Sequence, residues 1–240
     1  MTIGMIFLIV VSILIFTGLA QRVLDRMRLN DMTALGIIIA IILATIFIPN
    51  INITENFSIN IGGFVIPMGL AIYLFIKADT NKEKWRAIIA SITTGIIIYI
   101  LQRYILPAEP EAQYIEPNYV YAISAAVVAY LMGRSRRNAF IAGVVGVVIS
   151  DLIQAIINFI NDIPAPTDLG GAGAVDTTLI AGILAVIIAE VVGETRERLQ
   201  GGTDKKHMKF EGGEFVSIHE GANKDLSENS SKKRGGRVEK

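Results

Sequence analysis

Asp151 is the residue with the most to explain. It stands inside an apolar run, Ala139–Ile160, and an ionised aspartate at a bilayer centre costs on the order of 2.5–3.5 kcal/mol. At 1.5 Å per residue it lies roughly 18 Å from one end of that run and about 13 Å from the other. Gln154 and Asn158 follow at i+3 and i+7, so the three project from one face of a helix, with Ser150 bordering the stripe. Val145, Val148, Ile149, Leu152 and Ile156 occupy the opposite face. Such a stripe either hydrogen-bonds between helices or lines a polar path through them. A second acid, Asp176, follows Gly170-Gly171-Ala172-Gly173-Ala174-Val175 at the start of the next apolar run. These glycines permit close backbone approach and an irregular helix start, and an aspartate there caps free amide groups.

Other chemistry has little to work with. There is no cysteine, no phosphate-cradling loop with its lysine, and no Gly-x-Ser-x-Gly elbow. The only histidines, His207 and His219, lie near the C-terminus, so no metal site and no cofactor are expected.

The elements that position these residues are helices. The chain of 240 residues is 52% hydrophobic and 18% charged, with a formal net charge of zero, which gives no sign of nucleic acid as a partner. That zero is a sum of unlike parts. Residues 1–200 carry 13 bases and 15 acids; residues 201–240 carry 9 and 7. A bilayer span takes roughly 17–25 apolar residues. Seven segments fit: Ile3–Ala20, Thr33–Pro49, Ile61–Lys77, Ala87–Ile105, Tyr119–Gly133, Ala139–Ile160 and Val175–Gly193. None alternates as a barrel strand would, and without water each backbone must pair within its own segment. The expectation is an all-α, polytopic integral membrane bundle of about seven transmembrane helices.

Charge sorts by side. With the N-terminus outside and the C-terminus inside, twelve of the thirteen bases before residue 200 fall inside, Arg103 being the exception. Glu55, Glu109, Glu111, Glu116, Asp162, Asp168 and Asp176 fall outside. This is the positive-inside pattern. The first segment has no base ahead of it and Arg22 directly after, which favours a retained anchor over a cleaved signal. Residues 201–240, rich in Gly, Lys, Glu and Ser, read as a disordered cytoplasmic tail whose Lys232-Lys233-Arg234 would face anionic lipid. Pro67 is expected to kink the third span, Gly143 and Gly146 to let helices approach, and Glu190 to reach the interface near Arg196. No internal repeat stands out.

Two resemblances add to this. Asp151 and Asp176 together resemble the paired acids of intramembrane aspartyl proteases and prepilin peptidases, whose two carboxylates share a proton and activate a water. In those families the aspartate directly follows a Gly-x-Gly, whereas here Ala174 and Val175 intervene. The runs Gly18–Leu29, Gly133–Arg137, Gly170–Asp176 and Gly193–Leu199 are similar to a family of uncharacterised multi-pass membrane proteins from endospore-forming bacteria. That resemblance implies a bacterial cytoplasmic (inner) membrane and carries no assigned activity. The leading functional expectation is a non-enzymatic scaffold whose partners are the lipid bilayer and another membrane protein. The alternatives are a small transporter or proton-coupled carrier using Asp151, Gln154 and Asn158, and a protease using Asp151 and Asp176.

Overall fold

The computed structural model describes residues 9, 11–13, 27, 29–54, 56–105, 117–171, 173, 176–199, 208–211 and 214–217. They are mainly helical: α1 (Asp31–Phe47), α2 (Ile66–Ile76), α3 (Asn81–Ile100), α4 (Pro117–Gly133), α5 (Arg136–Ile160) and α6 (Thr177–Leu199). Residues 9, 11–13 and 27 are helical too, but most of the first expected span lies outside the described residues. Short π-helical turns precede α2 (Ile61–Val65) and follow α3 (Leu101–Ile105). Contact clustering divides the chain into units Met1–Val191 and Val192–Lys240.

The helix starts follow from side chains that accept the first free amides. Asn30 caps α1, Thr80 caps α3 and Ser135 caps α5, each accepting from the amide three residues on. Asn60 does the same for the π-turn ahead of α2, through Gly63 N–H at 2.8 Å. Pro67 is the second residue of α2, and the π-turn Ile61–Val65 leads directly into it. π-bulges and prolines are both sites at which helices kink, so regular α-helix is interrupted where the kink is expected.

The packing is reversed relative to a soluble bundle. Alanines fill the interior, with Ala122, Ala125, Ala126, Ala129, Ala139, Ala142, Ala181 and Ala185 all at 0% exposure. Large side chains such as Ile46, Ile89, Leu131, Ile156 and Phe159 stand exposed. Small residues bring helices close, and in lipid the large ones need no cover. Among the described residues, three helical stretches are long and apolar enough to cross a membrane: Asn81–Tyr104, Arg136–Ile160 and Thr177–Arg196. Met32–Phe47, Ile61–Ile76 and Asn118–Gly133 are shorter apolar helices. Close approach at the expected glycines is present. A Cβ at Gly143 would meet the Ala181 carbonyl at 3.0 Å, and one at Gly146 would meet Thr94 Cβ at 2.7 Å.

A three-stranded sheet caps one end of the first unit: β1 (Ile51–Thr54), β2 (Phe57–Ile59) and β3 (Thr167–Leu169). β1 and β2 are antiparallel, whereas β2 and β3 are parallel, with Ser58 opposite Asp168 and Ile59 opposite Leu169. The Ser58 hydroxyl donates to the Asp168 carboxylate across 110 residues of sequence.

The parallel β2–β3 pair brings two glycine-rich helix starts side by side: Gly62-Gly63 lies between β2 and α2, and Gly170, Gly171 and Gly173 lie between β3 and α6.

Within the second unit, Met208–Glu211 and Glu214–Ser217 form an antiparallel pair. The intervening dipeptide in the sequence is Gly-Gly, a composition suited to two-residue hairpin turns. The remainder of the tail expected to be disordered lies outside the described residues.

Candidate functional site

The polar stripe of α5 divides when its hydrogen bonds are traced. Ser150 is fully buried and its hydroxyl donates to Gln102 Oε1 at 2.9 Å. Gln102 belongs to the π-turn that ends α3; π-turns widen a helix locally and recur at functional sites. Gln154 Nε2 donates to Asn158 Oδ1 at 2.7 Å, so these two satisfy each other one turn apart. Asp151 is half-buried between them and has no hydrogen-bond partner among the described residues. Three members of the stripe therefore hold structure together, while one carboxylate is left over.

Asp176 lies just before α6 and serves as its cap: its Oδ1 accepts from Thr178 N–H at 2.8 Å, and its carbonyl accepts from Ile180 N–H. Its charge is felt at Asp151. The buried Thr178 hydroxyl beside it finds no partner among the described residues. The backbone ahead of Asp176 is irregular as the glycines suggested. Gly170 and Gly173 have φ of +68° and +62°. Gly171 N–H donates to the Asp168 carbonyl and Gly173 N–H to the Gly170 carbonyl, making tight turns above the helix.

Gly170 is pressed against the backbone at the start of the segment leading into α2. A Cβ there would lie 2.5 Å from both Gly63 C and Phe64 N. Two glycine-rich helix starts thus meet backbone to backbone under the sheet. No group of three or more His, Cys, Asp or Glu that could hold a metal occurs among the described residues.

Comparison with known families bears on the same stretch. Residues 10–188, about three quarters of the chain, match the family described as "Protein of unknown function (DUF1614)". The chain belongs to that family. Nothing among curated proteins or solved structures matches it. The match agrees with the resemblance to a family without assigned activity, and it takes in Asp151, Asp176 and both glycine-rich starts.

The end of this DUF1614 chain opposite the sheet is closed by ion pairs that sequence reasoning missed. Arg136 Nε donates to Glu190, tying α5 to α6 at the basic end, where the sequence also places Glu190. Arg137 donates to Asp79 Oδ2 at 2.8 Å and to the Lys77 carbonyl at 2.9 Å, and lies 3.5 Å from Glu83. Both arginines are carried by the first turn of α5, which Ser135 starts. The readable signal was the Ser135 cap with two arginines behind it; their acidic partners lie more than 50 residues away and had none.

Arg136 and Glu190 are only 13% and 22% exposed. Removing one partner strands the other, at somewhat less than the roughly 3–5 kcal/mol of a fully buried pair. Arg136→Ala and Glu190→Ala should each lower the thermal unfolding midpoint of the detergent-purified chain. The double variant should lose less than the sum of the two.

Proposed function

We propose that this chain is a multi-pass protein of the bacterial cytoplasmic membrane, basic end inside, that works as a small proton-coupled carrier with Asp151 as its proton-binding group. The observation that carries this reading is Asp151 itself: an acid deep in a long apolar helix, without a hydrogen-bond partner among the described residues and facing the charge of Asp176. Ionisable groups at such depth are expensive, and a group that contributes no hydrogen bond to the bundle is kept for something other than stability. A further feature supports it. The chain is broken into strand and glycine ahead of α2 and α6, as in carriers that place their sites at discontinuous helices.

In this reading the ion pairs of Arg136 and Arg137 close the inner end, and Asp151 is reached from the sheet side. Its orientation follows the positive-inside rule, with Arg134, Arg136, Arg137, Lys82, Lys84 and Arg86 inside.

The absence of cysteine makes the test clean. Single cysteines at Asn52 and Gln154 should react with a membrane-impermeant thiol reagent added outside intact cells. One at Lys82 should react only after permeabilisation. A scaffold packed solid around its stripe would leave Gln154→Cys unreactive from both sides, and the carrier reading would fail.

The protease reading has one observation in its favour, the charge of Asp176 felt at Asp151. Against it stands the engagement of Asp176 Oδ1 by Thr178 N–H, a cap that needs no second carboxylate. Cleavage of a fluorogenic membrane-spanning peptide, lost on either Asp151→Asn or Asp176→Asn, would decide for it.

A further inference from the structure

A groove of about 270 Å³ runs along the outside of the bundle between α2, α3 and α5. Its walls include Ile72 and Phe75 of α2, Ala87 and Ile92 of α3, and Ile141 and Ile149 of α5. Its polar exception, Ser91, donates its hydroxyl to the Ala87 carbonyl at 2.8 Å, so nothing polar in it asks for a partner. The groove is smaller than the roughly 300–1,000 Å³ of pockets that take drug-sized ligands.

Its position and charge identify what fills it. From Ile141 to Ile149 it follows α5 for eight residues, about 12 Å, close to the hydrocarbon depth of one leaflet. It starts one turn from the basic end, where Arg137 precedes Ile141 by four residues and Lys84 precedes Ala87 by three. Lys84, Ala87, Ile88 and Ser91 share one helical face, so the lysine stands at the groove mouth. Two neighbouring charges are engaged: Arg137 takes up Asp79 and Glu83, while the Lys77 ammonium lies over the Tyr73 ring. Lys84 is half-buried and has no ion-pair partner among the described residues. Trp85 beside it is 65% exposed, as suits a side chain at the lipid headgroup level.

We infer that this groove holds one acyl chain of an anionic phospholipid from the leaflet at the basic end, with its phosphate on Lys84. The inference rests on the chain crossing a bilayer, and carrier activity plays no part in it.

The test uses the full chain, purified in detergent and delipidated. Phosphatidylglycerol and phosphatidylcholine of identical acyl chains are added, and bound lipid is counted by native mass spectrometry. The wild type should retain one phosphatidylglycerol per chain in preference to phosphatidylcholine. Lys84→Gln should lose about fivefold in affinity for phosphatidylglycerol only, the contribution of one lysine near a lipid surface. Ile92→Trp, at a half-exposed wall position, should displace both lipids; unfolding curves confirm that each variant is folded. Equal retention of the two lipids by the wild type, unchanged binding by Lys84→Gln, or a bound lipid in Ile92→Trp would each overturn the inference. Cysteine labelling at Asn52 and Lys82 separately reports whether the chain crosses the membrane, so failure of the groove and failure of the topology are distinguishable.

Discussion

Gly170→Ala is expected to leave little folded protein. With φ at +68°, any L side chain at this position is strained by roughly 1–2 kcal/mol. The larger effect is steric, because the new Cβ would fall 2.5 Å from Gly63 C and Phe64 N, which are backbone atoms and cannot rotate away. The two glycine-rich starts must separate, and overpacking of that kind costs about 1–3 kcal/mol more. Separation would also pull β3 from β2, since Asn60 N–H donates to the Leu169 carbonyl at 2.9 Å immediately beside the contact. The combined loss, about 2–5 kcal/mol, reaches the whole stability of a marginal domain at its upper end. Gly36→Ala and Gly69→Ala are the matched controls. Both glycines lie within helices with no atom within 4 Å of a built Cβ, so alanine should be neutral or stabilise by up to about 1 kcal/mol. Thermal unfolding of the three detergent-purified variants beside the wild type reads the contrast directly. Equal midpoints for Gly170→Ala and Gly36→Ala would mean that the two starts do not touch.

The same contact shows where a sequence stops being readable. Apolar runs located the helices well: Thr33–Pro49 against Asp31–Phe47 for α1, and Ala139–Ile160 against Arg136–Ile160 for α5. The largest disagreements are six residues each: α3 begins at Asn81 although its apolar stretch begins at Ala87, and α6 runs on to Leu199 beyond Gly193. Asn81–Arg86 are polar, but Thr80 caps them and water is available to them at the basic end, so helix continues where hydrophobicity has stopped. The sheet was not legible. Its strands are three or four residues long, carry Asn, Ser and Thr, and depend on a partner 110 residues away. At the site, Asp151 and its stripe stood out because charge in an apolar run is expensive, and Asp176 because glycines precede it. Gln102 did not, because only the fold brings the π-turn of α3 to Ser150.

Asp151→Asn is expected to raise the unfolding midpoint, while Gln154→Leu lowers it. Gln154 and Asn158 form a bond that the fold uses: leucine at 154 strands Asn158 Oδ1 in an apolar setting. Hydrogen bonds between side chains in membranes contribute about 0.6 kcal/mol on average and up to roughly 1.7, so a loss in that range follows. Asp151 is the opposite case. Asparagine keeps its shape and removes a charge that has no hydrogen-bond partner among the described residues and that opposes the charge of Asp176. Taking an ionisable acid out of the apolar run should stabilise, by no more than the roughly 2.5–3.5 kcal/mol that an aspartate costs at mid-bilayer. A residue that destabilises its own fold is retained for activity, the usual trade at working sites. Opposite signs for two side chains on one helical face would therefore separate glue from function without any knowledge of the transported solute. A fall on Asp151→Asn as large as that on Gln154→Leu would make Asp151 a structural hydrogen-bonding residue. The scaffold reading would then stand ahead of the carrier.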